Sequence, residues 1–126
     1  MSGNKPEISK HIQWVYTEDL ESTAEFYHQC LGLERIRATD AMQLFATSAT
    51  ACIGVCRVFD DRVVEPRGGM LSIVTDDVDA WYRRLCERGV SIDEPPGRLE
   101  RFGIYHFFVR DPNGYIIEFE RFEDDV

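Results

Sequence analysis

Residues 70–90 read MLSIVTDDVDAWYRRLCERGV, and residues 12–33 read IQWVYTEDLESTAEFYHQCLGL. The two stretches are versions of one pattern. Each opens with a short apolar run, 12–17 and 70–75, whose β-branched and aromatic content predicts a strand. Each then passes through acidic residues into a helical pattern, over 20–31 and 77–88. Leu20, Ala24, Tyr27 and Leu31 fall on one stripe of the first helix, and Val78, Trp81, Tyr82 and Leu85 on one stripe of the second. Glu21, Glu25, Arg83, Arg84 and Arg88 take the wet faces. Gly32 and Gly89 stand where a helix end turns left-handed and glycine is favoured. Asp19 and Asp77 are 58 residues apart, whereas Gly32 and Gly89 are 57 apart. The repeat therefore holds, with one residue fewer in the second helix.

Three short strands are expected after each helix: about 34–38, 42–47 and 51–58 in the first unit, and 90–93, 102–110 and 115–121 in the second. The last two flank Asp111-Pro112-Asn113-Gly114, a strong hairpin turn. The polar segment 59–69, with Pro66, Gly68 and Gly69, reads as a linker. The predicted fold is α+β: tandem βαβββ modules, about 10–58 and 70–122, in one domain spanning 1–126. They form a curved mixed sheet with helices on its convex side and a concave cavity. Residues 1–10 and the acidic end Glu123-Asp124-Asp125 are expected to fray. A four-stranded sheet with one bare face is not stable alone, so pairing of units and a homodimer are expected.

Composition narrows the function. A chain of 126 residues, 44% hydrophobic and 12% aromatic, has material for one core and is not a disordered segment. Fourteen basic against 23 acidic residues give a net charge of -9, which argues against nucleic acid or an anionic membrane as partner. No apolar run approaches the ~18 residues of a membrane span. The start, Met1-Ser-Gly-Asn-Lys-Pro-Glu, has no apolar signal core, so a cytoplasmic location is expected. Cys30, Cys52, Cys56 and Cys86 form no C-x-x-C pair, and reduced thiols are the default. No nucleophile elbow, Walker loop or dinucleotide fingerprint is present.

With these residues in view, the chain resembles the vicinal oxygen chelate superfamily, which includes glyoxalase I, bleomycin-resistance proteins and extradiol dioxygenases. The resemblance rests on Asp19-Leu20-Glu21, Phe26-Tyr27 and Leu31-Gly32-Leu33 in the first unit. In the second it rests on Asp76 to Ala80 and on the run from Phe102 through Asp111-Pro112-Asn113-Gly114 to Phe119. It covers residues 10–122. It implies a single glyoxalase-like domain, and in the family's enzymes a divalent metal held from four places. Carried onto this chain, those places are Ile12, about Gly54, Met70 and Glu118. Glu118 alone is a good ligand. His11 lies one step from the first place, on the opposite strand face, and only a bulge would bring it in. Cys52 and Cys56 share parity with Gly54. His11 and Glu118 are thus the weak metal candidates; no cofactor is expected, and a divalent metal is disfavoured.

Strand alternation sets Ile12, Trp14 and Tyr16, and Met70, Ser72 and Val74, toward the cavity, together with Ile116, Glu118 and Glu120. Val15 then faces the helix. On the facing hairpin strand, Tyr105 and Phe107 form one set and His106 and Phe108 the other. The family pattern favours Tyr105 in the cavity, and His106 reads as a packing residue. The expected ligand groove is Trp14, Tyr16, Cys56, Met70, Ser72, Tyr105, Phe107 and Glu118. Glu118 reads either as a carboxylate that binds a cationic or hydroxyl group, or acts as a base, or as a group that holds the hairpin in register. The leading reading is a small-molecule binding protein that takes an apolar or aromatic ligand, cationic ones included. The alternative is a metal-dependent lyase, isomerase or dioxygenase of the glyoxalase type. A pocketless interaction module is the third.

Overall fold

A computed structural model describes residues 5–123, so residues 1–4, 124 and 125 of the ends expected to fray lie outside the described residues. The first unit runs β1 (His11–Thr17), α1 (Leu20–Glu25) continued by a π-turn over Phe26–Cys30, β2 (Glu34–Ala38), β3 (Met42–Ser48) and β4 (Ala51–Arg57). The second runs β5 (Met70–Val74), α2 (Val78–Glu87), β6 (Gly97–Leu99), β7 (Ile104–Arg110) and β8 (Ile116–Phe122). Each unit makes one four-stranded sheet, ordered β1-β4-β3-β2 and β5-β8-β7-β6. The pairs β1/β4 and β5/β8 are parallel and the rest antiparallel, so both sheets are mixed.

The extra residue of the first helix has a definite place. Leu31 N–H donates to Phe26 C=O, five residues back, at 3.1 Å, and the helix widens into the π-turn. A single insertion is absorbed this way without turning the Tyr27 face away from the core. Gly32 (φ 73°) and Gly89 (φ 80°) then end the two helices in the left-handed region. After α2, Val90 N–H bonds Leu85 C=O and Gly89 N–H bonds Cys86 C=O, the paired bonds of a Schellman ending.

The helix-side faces of both sheets share one core. Val15, Tyr27, Phe45, Ile53 and Val55 of the first unit join Val78, Leu85, Phe107, Ile117 and Phe119 of the second. Trp81 stacks on Phe119 at 5.2 Å between ring centroids, Phe119 on Phe107 at 5.1 Å, and Tyr82 meets Phe107 edge-on. Polar links cross the seam. Tyr27 donates its hydroxyl to Asp111 Oδ2 at 2.8 Å, and Asn113 Nδ2 donates to Thr23 Oγ1 at 2.9 Å. Arg84 Nε and Arg88 Nη1 donate to the carbonyls of Cys30 and Gln29, each at 3.0 Å, and so cap the first helix from the second.

One element departs from expectation. No strand forms at 90–93; Val90 and Ile92 pack on the core from a loop. Pro95 and Pro96 lack the N–H a ladder needs, so pairing starts only after them and β6 is three residues long.

The two helix-ending glycines separate local strain from packing. A Cβ at Gly89 meets nothing within 4 Å, whereas one at Gly32 falls 2.5 Å from Arg84 Nη2. Gly89→Ala is expected to cost about 1–2 kcal/mol, the penalty of a left-handed residue with a side chain. Gly32→Ala is expected to cost clearly more in urea unfolding, and the excess should vanish in an Arg84→Ala background. Equal costs in the native background would contradict the capping role of Arg84.

Candidate functional site

The faces opposite the helices carry the site residues, and the β7–β8 hairpin decides which ones. Asp111 opens its turn. Its Oδ1 accepts from Asn113 N–H at 2.8 Å and Tyr115 N–H at 3.0 Å, while its own N–H donates to Tyr115 C=O. Gly114 sits at φ 91°. Five residues therefore lie between Arg110 and Ile116, which pair directly. From that start Phe108 opposes Glu118, His106 opposes Glu120 and Phe107 opposes Phe119. On the other edge of β8, Ser72 opposes Glu118 and Val74 opposes Glu120. The bare face of the second sheet thus holds Met70, Ser72, Val74, Ile116, Glu118, Glu120, His106 and Phe108.

This corrects two of the expected groove residues. Phe107 is 3% exposed and lies in the helix-side core. Tyr105 packs against the same core, and its hydroxyl donates to Asp79 of α2 at 2.5 Å. The difference is one residue. Tyr115 belongs to the turn rather than the strand, so the pairing moves by one and the faces of β7 exchange relative to Glu118. His106 and Phe108 take the places expected of Tyr105 and Phe107.

At the centre of this face Glu118 is engaged on both oxygens. Ser72 Oγ donates to Oε1 at 2.9 Å, and His106 Nδ1 lies 2.7 Å from Oε2. Burial pushes the Glu118 carboxyl up, but hydrogen bonds from Glu120, His106 and Ser72, with the imidazole's charge, outweigh it and hold the group below its ordinary range. Glu120, beside it, goes the other way: burial and the neighbouring Glu118 raise it. The two neighbouring carboxyls are thus shifted in opposite directions.

The first sheet presents Ile12, Trp14 and Tyr16 on β1 beside Cys52, Gly54 and Cys56 on β4. Val15 and Thr17, on the alternate positions, are buried. The six-membered ring of Trp14 lies directly over Gly54, so close that any Cβ there would collide with it. The small residue makes room for the indole. Tyr16 leans on Phe59 at 6.5 Å, and its N–H donates to the Tyr115 hydroxyl.

The outer edges of β1 and β5 flank a cleft of about 400 Å³, lined by His11, Ile12, Gln13, Cys52, Met70 and Ser72 among others. Of the expected groove residues, Met70 and Ser72 reach this cleft. Trp14, Tyr16 and Cys56 lie on the first sheet, and Glu118 lies on the second.

The four metal places can be tested by donor chemistry. Ile12 has no donor, the space at Gly54 is filled by an indole, and Met70 offers only a thioether. Cys56 is held as a thiol, because burial raises it. β1 and β4 pair without a register shift, so no bulge turns His11 to the face of Ile12. Among the described residues no group of three or more His, Cys, Asp or Glu is disposed to hold a metal ion. The residues present do not fit the family's metal.

Comparison with known proteins agrees with this architecture. The sequence profile of the Glyoxalase/Bleomycin resistance protein/Dioxygenase superfamily matches residues 8–119. The chain is 28% identical to the phenazine antibiotic resistance protein EhpR of Enterobacter agglomerans, over 89% of this chain and 91% of that one. It is 26% identical to a putative lactoylglutathione lyase of Brassica oleracea var. gemmifera, over 90% of this chain but only 45% of the relative. The chain therefore spans about half of that lyase's length. Among solved structures, a glyoxalase/bleomycin resistance protein/dioxygenase from Nocardioides superposes with a TM-score of 0.76 at 19% identity, covering 98% of this chain and 87% of that one. Among the described residues no helix is long and apolar enough to cross a membrane.

The carboxyl pair makes a pH prediction. A carboxyl raised in the folded state contributes stability below its ordinary pKa and loses it as pH rises through the raised value. Glu120→Gln removes that loss. Relative to the native protein, the variant should gain more thermal stability at pH 7.5 than at pH 4. An equal shift at both pH values would mean that burial and Glu118 do not raise Glu120 in the folded protein.

Proposed function

The chain belongs to the Glyoxalase/Bleomycin resistance protein/Dioxygenase superfamily, and within it we propose a homodimeric binding protein that holds an aromatic small molecule without metal chemistry. The observation that carries this reading is the Trp14 ring seated over Gly54. Where the family's enzymes place a metal ligand, this chain places a flat aromatic surface. One face of the indole rests on backbone, and the other is a platform for a planar ligand. Met70, Ser72, Tyr16 and Cys56 extend the bare faces around it, and the ionised Glu118 supplies a negative charge that favours cationic groups on the ligand.

A carboxylate held below its ordinary range is a weak base, so Glu118 is proposed to set local charge rather than to move protons. The relative named for resistance to a phenazine antibiotic, a planar aromatic compound, supports a sequestering role. A lyase or dioxygenase of the glyoxalase type would need ligands at Ile12, Gly54 and Met70, which those residues do not supply.

The dimer follows from surface. Met70, Val74 and Phe108 on the bare face of the second sheet are 50%, 62% and 48% exposed in a single chain. A second copy covers such a face and closes a cavity over it. Sedimentation at micromolar concentration is expected to give about twice 14.6 kDa. Phenazine should quench tryptophan fluorescence, and the quenching should shrink in Trp14→Phe and persist in Trp81→Phe. Trp81→Phe should instead lower stability, because its ring packs on Phe119. Quenching that depends on Trp81 alone would contradict the proposed site.

A further inference from the structure

The extra residue of the first helix builds something the fold itself does not need. Where Leu31 N–H bonds Phe26 C=O, the widened turn carries a half-buried His28 and an exposed Gln29. A π-turn inside a helix frequently marks a functional site. Both residues line a cleft of about 490 Å³ between α1 and the β2–β3 pair, together with Glu21, Glu25, Arg35 and Gln43. Gln43 shares a strand face with the buried Phe45, so the cleft lies on the helix side of the first sheet, opposite Trp14. The second unit has no counterpart. At the offset of 58 residues that relates Asp19 to Asp77, Arg83 stands for Glu25, and Asp79, which stands for Glu21, accepts the Tyr105 hydroxyl. Its helix α2 runs without a π-turn.

The cleft brings together charges of both signs that do not touch. Glu21 and Glu25 are one turn apart on α1, an i, i+4 pair of like charges that works against the helix. Arg35 lines the same cleft from β2. Among the described residues none of the three is in an ion pair, so Arg35 stays more than 4.0 Å from both carboxylates. The guanidinium is anchored rather than neutralised. Its Nε donates to Gln43 Oε1 at 2.7 Å, and its carbon sits 5.7 Å over the Phe45 ring. The Nη groups are left for an acceptor. Gln43 has turned its oxygen to Arg35 and keeps its NH₂ as a second donor. His28 is anchored too. A carbonyl only accepts, so Nδ1 donates to Leu33 C=O at 2.9 Å, and Nε2 has no partner among the described residues.

We infer that this cleft binds a small zwitterion, an amino acid or another amine-bearing carboxylic acid, with its ammonium group at Glu21 and Glu25 and its carboxylate at Arg35 and Gln43. An anchored guanidinium loses little freedom on binding, and its Nη groups match the two oxygens of a carboxylate. The paired glutamates have the opposite preference, because one ammonium between them relieves their repulsion. A molecule with a single charge satisfies one side of the cleft and leaves the other as it was. The site is separate from the aromatic platform at Trp14 and does not depend on it.

The test is an amide NMR titration of the intact protein with glycine, γ-aminobutyrate and ε-aminocaproate, each beside the alkylamine and the alkanoate of the same chain length. At least one of these amino acids is expected to bind about tenfold more tightly than both of its single-charge analogues, the effect of one added hydrogen bond to a charged group. The perturbed amides should be those of residues 21–29, Arg35 and Gln43. Glu25→Gln should weaken that amino acid about tenfold and leave the alkanoate unchanged. Arg35→Gln should weaken it by as much and leave the alkylamine unchanged. Arg35→Lys, which keeps the charge but not the planar fork, should restore part of the loss. Glu25 and Arg35 are exposed, so the amide spectrum away from the cleft should stay native in every variant. Amino acids that bind no better than their analogues, perturbations confined to other residues, or native affinity in Arg35→Gln would each overturn the inference.

Discussion

The hydrogen bond from Tyr27 to Asp111 is the contact on which the other parts of this molecule depend. Tyr27 has no exposed surface and Asp111 is 4% exposed. The bond joins the widened end of the first helix to the hairpin turn of the second unit. Burial raises Asp111 above the ordinary carboxylate range, while bonds from Tyr27, Asn113 and Tyr115 pull it partly back. Burial and the same carboxylate push the Tyr27 hydroxyl far up, so it stays a donor. The Asp111 side chain also sets the five-residue turn. The turn sets which residue of β7 meets which residue of β8, and that register puts Glu118, His106 and Phe108 on one face. A packing contact on the helix side thus determines the chemistry of the opposite side.

Much of this was legible in the sequence because the chain says it twice. The strand-helix-glycine repeat places β1, β5, both helices and the seam between them. It even counts the residue that becomes the π-turn, although a one-residue offset alone does not say how the helix will absorb it. Face assignment was legible wherever a strand was long and regular: Val15 in the core, Trp14 on the bare side, and Ser72 on the same face as Glu118. It failed at Tyr105 and Phe107, where the answer depends on whether Tyr115 belongs to a turn or a strand. Both Asp-Pro-Asn-Gly and the apolar run after it are compatible with either. The signal that distinguishes them is the Asp111 carboxylate reaching two backbone N–H groups, which is a matter of three-dimensional geometry. The short β6 was hidden for a different reason, since Val90 and Ile92 are apolar enough for a strand but pack from a loop ahead of two prolines.

The four places where the resemblance puts a metal carry other chemistry here. Three places hold an isoleucine, a glycine under an indole, and a methionine. The retained carboxylate is not idle. Ser72 and His106 occupy both its oxygens, and Glu120 lies beside it. A charge that would bind a cation directly instead fixes an imidazole. Aromatic surface lies on the bare face of the first sheet, and the Glu118–His106 pair lies on that of the second.

Native mass spectrometry of the freshly purified protein tests this account most directly, because it reads stoichiometry, organic ligand and metal at once. The account predicts a dimer near twice 14.6 kDa that gains one planar aromatic molecule per site on incubation and carries no stoichiometric divalent metal after exposure to Ni²⁺, Zn²⁺ and Mn²⁺. One tightly held metal ion per chain, lost in Glu118→Ala, would contradict it.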